Sequence, residues 1–394
     1  MVDPPDSPLL SSQFDFDAVP PDHDAGTQVI LPSSFMGCPR NMSEAYHDAM
    51  TAVRTLGAPD LFITFTCNEN WPEIRNNLKP GQTPSDRPDL IARVFQMYHT
   101  ELMKDLTERH VLGRCISKIN VIEFRKRGKP HSHILIHLDD TDKIRTAADI
   151  DSIVSAEIPD PNLFPELHQV VSSCMMHGPC DDTFNITESV CMKYGECTKA
   201  FPKPYAPHTV YSDNGYPAYR RRDDGRAVIK RGKPLTNQWV VPYNQYLLLK
   251  YRCHINVEIC VSIKSIKYLL KYVYKGHNCA SMVFEQNSVK TYRDSRYLCA
   301  PEAAHSLFEF KMRHSTFSVD RLPIHLPDMQ SVFFIPGEED EALREALEKD
   351  SKLTAFFDLN SNDPHARQFL YADIPLHYRW DTDTDTWKRC KRNT

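Results

Sequence analysis

Long apolar runs are missing from these 394 residues. No stretch approaches the roughly 20 residues that a membrane-crossing helix needs, so no membrane partner is expected. Cysteine is sparse. Twelve are spread along the chain, too few for a disulfide scaffold, and the opening MVDPPDSPLLSS lacks the charged-then-apolar order of a secretory signal. A reducing compartment is therefore expected, in which thiols are free to serve as metal ligands. No GxxxxGK[ST] run occurs, so the chain alone is expected neither to hydrolyse ATP nor to unwind DNA. There is no internal repeat.

What is present is an ordinary globular composition, long enough for two or three packed units. The net charge of −5 looks wrong for a nucleic-acid partner until it is divided. Residues 1–40 carry −5 and residues 338–394 carry −4, which leaves +4 on residues 41–337. The bases there are clustered: Arg125, Lys126, Arg127 and Lys129; Arg220, Arg221 and Arg222; Lys264, Lys267, Lys271 and Lys275. Clustering matters more than the total for phosphate binding, although such runs are often solvated faces.

Residues 1–27 read as an acidic disordered tail. A helix is predicted at 42–56, a strand at Leu61–Cys67, an amphipathic helix at 89–110, and two strands, Ile119–Phe124 and His131–Leu138, joined by the basic turn RKRGKP. Residues 141–245, with several prolines and a Cys/His cluster, read as an insertion with little regular structure. RCHINVEIC at 252–260 alternates as a half-buried strand, and a helix follows through Gly276. A Glu/Ala/Leu helix is predicted at 338–349, followed by a polar tail.

Three stretches carry chemistry. The first is KYLLKYVYK, Lys267 to Lys275. On a helix at about 100° per residue, Tyr272 falls about 40° from Tyr268, with Lys264, Lys271 and Lys275 on the same side. Ile263, Ile266, Leu269, Leu270 and Val273 form the opposite, core-facing stripe. That leaves ordinary helix surface, a phosphate-touching basic stripe, or a pair of nucleophiles helped by neighbouring lysines.

The second stretch is IEFRKRGKPHSHILIHL, Ile122 to Leu138. On a strand, His131 and His133 share a face, and antiparallel pairing across the turn brings Glu123 beside them. Two imidazoles and a carboxylate suit Mg²⁺ or Mn²⁺ with phosphate oxygens in the open positions. A surface strand with chance histidines is the alternative, and His137 reads as a strand-end residue. In the third stretch, His177, Cys180, Cys191 and Cys197 could hold a structural Zn²⁺ that helps an apolar-poor segment fold; Cys174 is a spare candidate, and chance thiols are the alternative.

The His-x-His strand followed far downstream by Tyr-x-x-x-Tyr resembles the HUH endonucleases. More closely, the chain resembles the N-terminal replication-initiator (Rep) region of Helitron rolling-circle transposon proteins. The runs that carry this are VILPSSFMGCPR, GAPDLFITFTCNENWPEI, RKRGKPHSHILIHL, MMHGPC, CMKYGECTKAFPKPY, YRCHINVEICVSIKSIKYLLKYVYKG and RLPIHLP. The resemblance implies an α+β fold: an HUH-type antiparallel sheet flanked by helices, with a Cys/His-containing insertion and a partly helical C-terminal extension. It implies a nuclease domain at 28–280 and an extension at 281–394 that leads in relatives to a helicase domain. LFITFTCN corresponds to the first initiator motif, PHSH to the metal motif with His131 and His133 as ligands, and KYLLKYVYK to the tyrosine motif with Tyr268 and Tyr272 as nucleophiles.

The implied activity is metal-dependent nicking and strand transfer of single-stranded DNA at transposon ends, through a 5′-phosphotyrosine. Arg127, Lys129, Lys264, Lys267, Lys271 and Lys275 would contact phosphates, a helicase would act in cis or in trans, and the substrate implies the nucleus. One departure is visible: Ser132 stands between the histidines where relatives carry an apolar or small residue, and it is expected to face away from the metal. The alternative reading is a non-catalytic DNA-binding remnant of a truncated Helitron helicase-like protein.

Overall fold

The computed structural model describes residues 39–124, 128–180, 191–210, 217–260, 279–286, 289–296 and 299–390, apart from 318, 328, 331, 333–336 and 338. The readings made on the acidic tail and on the tyrosine–lysine stretch lie outside these residues. The chain divides into two compact units, one comprising 1–47 with 274–297 and the other 48–273 with 298–394. In the first, Cys279–Gln286 and Val289–Arg296 form an antiparallel hairpin. The rest of this section concerns the second and the helix Pro39–Leu56, whose residues from 48 onward belong to it.

Helix α1 (Pro39–Leu56) stops at Gly57, whose φ of 83° lets its N–H reach back to the Val53 carbonyl at 2.9 Å; glycine adopts this left-handed terminus without steric cost. Strand β1 (Leu61–Thr66) follows, built from β-branched and aromatic residues. Helices α2 (Pro72–Arg75) and α3 (Pro88–Thr107) each begin on a proline, which needs no N–H partner in the first turn. Strands β2 (Cys115–Phe124) and β3 (Pro130–Leu138) form the hairpin expected from the sequence. With β8 (Ile255–Ile259) and a short strand at Arg313–Ser315 they make a five-stranded antiparallel sheet, in the order Arg313–Ser315, β2, β3, β1, β8. The fold is α+β.

Residues paired across antiparallel strands share a face. On one face lie Leu61, Ile63 and Phe65 of β1, Ile134 and Ile136 of β3, and Ile255, Val257 and Ile259 of β8, all buried. Helix α3 covers this face: the Phe95 ring stacks on Phe65 at 5.5 Å, and Trp71 lies 5.9 Å from Phe65 on another side. The C-terminal end of α3 is tied to α6 (Gln245–Tyr251) through Asp105. This fully buried carboxylate accepts from the Tyr251 hydroxyl at 2.6 Å and from Lys250 Nζ at 2.7 Å, and it also pairs with Arg109. Such a carboxylate is tolerated away from water only because it is paired and hydrogen-bonded.

Two sequence readings need correction. Residues 141–245 are more ordered than their prolines suggested. They form α4 (Ala147–Ile153), capped by Thr146 and Asp149, and α5 (Pro165–Cys174), and their Ile150, Leu167, Val170 and Val171 join the same apolar core as the sheet. Pro165 starts a helix rather than breaking one. The polar tail after residue 349 is also structured: helix Lys352–Asn362 and the hairpin Tyr378–Asp381 with Thr386–Arg389 enclose a small core of Ala355, Ala366, Ile374, Tyr378 and Trp387. Its apolar residues are too scattered to show a period.

Candidate metal centres

The second face of the sheet is mixed: Phe62, Ile119, Val121 and Leu135 share it with Thr64, Thr66, Glu123, His131 and His133. In the β2–β3 register Glu123 stands opposite His131 and Val121 opposite His133. On the other side of β3, Thr66 of β1 stands opposite His131 and Thr64 opposite His133. The pairing brings one ligand atom each from Glu123, His131 and His133 within 4.8 Å of one another. Both histidines are buried, at 3 % and 5 % exposure, with ring centroids 4.6 Å apart and planes nearly perpendicular. His133 Nε2 lies 3.1 Å from Glu123 Oε1, and Phe62 stacks on the His133 ring at 5.7 Å.

Thr66 Oγ1 lies 2.6 Å from His131 Nδ1. With Nδ1 engaged, Nε2 is the nitrogen through which His131 can ligate an ion. Two imidazoles and a carboxylate, gathered by strand pairing and oriented by neighbouring groups, form a donor set that fits a divalent cation.

Ser132 points to the opposite face, as expected. It is fully buried, and its Oγ lies 3.1 Å from His99 Nε2 of α3. Burial lowers His99 to about 4, with Lys118, His305 and His314 adding to the shift, so the ring is neutral at pH 7. The HSH motif is thus anchored on one side by a helix while it offers two imidazoles on the other. His137 takes no part: its Nε2–H donates to the Gly57 carbonyl at 3.2 Å.

Residues 14–136 match the family described as the Helitron helicase-like domain at the N-terminus. The chain carries a Helitron-like N-terminal domain. The match includes β1, Glu123, His131 and His133, and it ends before the Cys/His segment and before the Lys264–Lys275 stretch. No curated protein matches the chain.

Downstream of the Helitron-like match, the structure gathers the second candidate set. Ligand atoms of His177, Cys180, Cys191 and Cys197 lie within 4.8 Å of one another, with His177 Nε2 3.3 Å from Cys197 Sγ. Two local features build the cluster. Gly178 sits at φ 85° so close to Trp239 that a Cβ would come within 2.7 Å of the indole, so only glycine passes there between His177 and Cys180. Strands β4 (Met192–Lys193) and β5 (Glu196–Cys197) form a two-residue hairpin that returns Cys197 beside Cys191.

His177 is lowered to about 4 by burial and by Lys199, Lys230 and Lys203, which keeps the imidazole neutral as a ligand must be. Burial pushes the Cys180 thiol up, reinforced by Cys191 and Cys197. At Cys197 burial also acts upward, but N–H groups of Phe201 and Lys199 outweigh it and the thiol is lowered. Four soft or borderline donors at this separation fit a tetrahedral metal site. Cys174 stands apart, with its Sγ 3.9 Å from the Arg252 carbonyl.

The basic residues divide. Lys129 pairs with Glu69 at 3.1 Å near the β2–β3 turn and stays 40 % exposed. Arg127, Lys264, Lys267, Lys271, Lys275, Tyr268 and Tyr272 lie outside the described residues. The Arg220–Arg222 run is structural. Arg221 is buried and donates to the carbonyls of Val240, Asn237 and Ala156, Arg222 forks onto Glu157, and Arg220 pairs with Asp151 and Glu157. Sequence reasoning missed Thr66, Phe62 and His99. The visible signal was the alternation in LFITFT, which puts Phe62, Thr64 and Thr66 on one face.

Proposed function

We propose that this Helitron-related protein nicks single-stranded DNA and transfers the cut strand through a 5′-phosphotyrosine. The observation that supports this best is the Glu123–His131–His133 cluster, two buried imidazoles with a half-buried carboxylate on one face of an antiparallel sheet. A Mg²⁺ or Mn²⁺ ion held there would supply Lewis-acid polarisation of the scissile phosphate. The chain's own part is as follows. Glu123, His131 and His133 provide the donors, Thr66 fixes the His131 ring, and Ser132 and His99 hold β3 against α3.

Tyr268 or Tyr272 supplies the nucleophile. Its phenolic oxygen, having lost its proton, attacks phosphorus; the P–O3′ bond breaks and the 3′-oxygen leaves as a hydroxyl. The new phosphodiester retains the bond energy, so a later 3′-hydroxyl can displace the tyrosine and rejoin a strand. A second tyrosine one helical turn away permits a second cut before the first is resolved. Lys264, Lys267, Lys271, Lys275, Arg127 and Lys129 would neutralise phosphates without reading bases. Transposon ends as substrate, a helicase acting in cis in longer relatives or in trans, and nuclear residence complete the proposal. The second cluster would hold structural Zn²⁺.

The test is incubation of a labelled single-stranded oligonucleotide with the protein and Mn²⁺, followed by denaturing electrophoresis. A shifted, denaturation-resistant band is expected, lost in the Tyr268→Phe/Tyr272→Phe double variant and in His131→Ala. An adduct that persists in the double variant removes the tyrosines from the chemistry. No adduct at all from the wild-type protein leaves the non-catalytic DNA-binding reading.

A further inference from the structure

One short hairpin of the Cys/His cluster and one that is bonded beside it share an unusual feature. In the first, Tyr194 and Gly195 link β4 to β5 with φ values of 55° and 83°. In the second, Arg231 and Gly232 link β6 (Val228–Lys230) to β7 (Lys233–Leu235) with φ values of 52° and 74°. Both are two-residue turns with positive φ at both central positions, a geometry that selects Asn, Asp or Gly at the first of them. Here that position holds a tyrosine in one turn and an arginine in the other. Neither side chain eases the left-handed backbone, and each such residue costs roughly 1 kcal/mol.

The tyrosine ring gains no burial in return. Tyr194 is 93 % exposed, and the Lys193 ammonium lies over its ring at 5.1 Å. The second hairpin sets Lys230 directly opposite Lys233, a like-charge pairing that disfavours the ladder. The first hairpin contributes Cys197 to the cluster, and the second is tied to the residue just before His177. Cys197 of β5 meets His177 at 3.3 Å, and Lys230 of β6 donates to the Met176 carbonyl at 3.1 Å. Phe201 stacks on His177 at 4.3 Å and carries Lys203 over its own ring at 5.3 Å.

An exposed aromatic ring with an ammonium beside it fits unpaired nucleotides. Bases stack on the ring, and the cations meet the backbone. A duplex offers the phosphates but no free base face.

We infer that the two hairpins form a second single-strand DNA contact, with Tyr194 as the stacking platform for one base and Lys193 and Arg231 as phosphate contacts. This rests on the proposed single-stranded substrate, but it concerns binding, away from Glu123, His131 and His133.

The test uses the full chain, zinc-loaded and without Mg²⁺ or Mn²⁺, and reads anisotropy of a fluorescein-labelled 20-nucleotide strand and of its duplex. Tyr194→Ala should weaken single-strand binding about five- to tenfold, with duplex binding within twofold of wild type. Tyr194→Asn relieves the backbone strain, so it should fold at least as well and show the same loss; Tyr194→Trp should retain affinity. Lys193→Gln and Arg231→Gln should each lower the salt slope of single-strand binding by about 0.7. Wild-type affinity in Tyr194→Asn, or an equal loss on duplex, overturns the inference. Because neither Mg²⁺ nor Mn²⁺ is present, failure of the nicking assay leaves this result unaffected, and the reverse holds too.

Discussion

Replacing Thr66 by valine removes one hydroxyl and leaves the volume of β1 unchanged. Thr66 Oγ1 sits 2.6 Å from His131 Nδ1, and both residues are buried, at 6 % and 3 % exposure, so water does not easily replace the lost partner. When the hydroxyl accepts from Nδ1–H, Nε2 keeps the lone pair a metal needs. Valine removes that preference and frees the ring to choose the other tautomer. Loss of such a supporting group typically costs ten- to a hundredfold in metal affinity, or about 1.4–2.7 kcal/mol. The short bond and dry surroundings argue for the upper half of that range. Mn²⁺ titration followed by electron paramagnetic resonance reads the affinity without calling on catalysis. Thr66→Ser keeps the hydroxyl and should retain most of it. Thr64→Val is the internal control: Thr64 stands opposite His133, whose Nε2 already meets Glu123, so the change should be under twofold. Thr66→Val protein that melts like wild type and binds Mn²⁺ within twofold of it would refute the reasoning.

Three further outcomes are expected. If the second cluster holds zinc as proposed, Cys197→Ser should release it, measured by atomic absorption, and increase proteolysis between residues 175 and 240, because a metal held there would contribute folding energy to that segment; full zinc occupancy in the variant would remove Cys197 from the ligand set. Arg221→Met should strip three carbonyls of their buried donor and destabilise the fold by about 3–5 kcal/mol in urea, while the salt dependence of the proposed DNA binding stays unchanged; a reduced slope would assign the arginine run to that proposed interface. Burial holds His99 and His305 at about 4, so between roughly pH 6.5 and 4 the unfolded chain binds the extra protons. Their contribution to stability is complete above pH 6.5 and is lost as the pH falls through 4, at up to about 1.4 kcal/mol per pH unit for each ring. His305→Leu should therefore flatten the acid limb of a melting-temperature profile, and an unchanged limb would count against it.

Local patterns carried much of the fold and one half of the candidate site. PHSH gave the shared face of His131 and His133, and counting back across a short turn put Glu123 beside them, because antiparallel pairing converts sequence spacing into a register. The four ligands of the second cluster were legible for a similar reason, since two loops of fixed length return them to one place. Thr66 and His131 are 65 positions apart, and nothing local announces that their strands are neighbours. His99 was hidden because a polar residue on the inner side of an amphipathic helix reads as noise until its partner, Ser132, is known. The Arg220–Arg222 run misled because charge in a sequence carries no depth, and only packing reveals that Arg221 is enclosed by carbonyls. The C-terminal core escaped because it is assembled from short elements with no shared period.

Strand β3 has no idle side. Toward its N-terminal end, His131 and His133 turn imidazoles toward Thr66 and Glu123, while Ser132, Ile134 and Ile136 lock into the helix layer behind. Inserting a single codon between Ser132 and Leu138 would exchange these roles downstream of it, driving polar side chains into oil and isoleucine toward the carboxylate. In a decaying copy of this gene, one-residue insertions and deletions in this strand should thus silence it sooner than most substitutions on its surface.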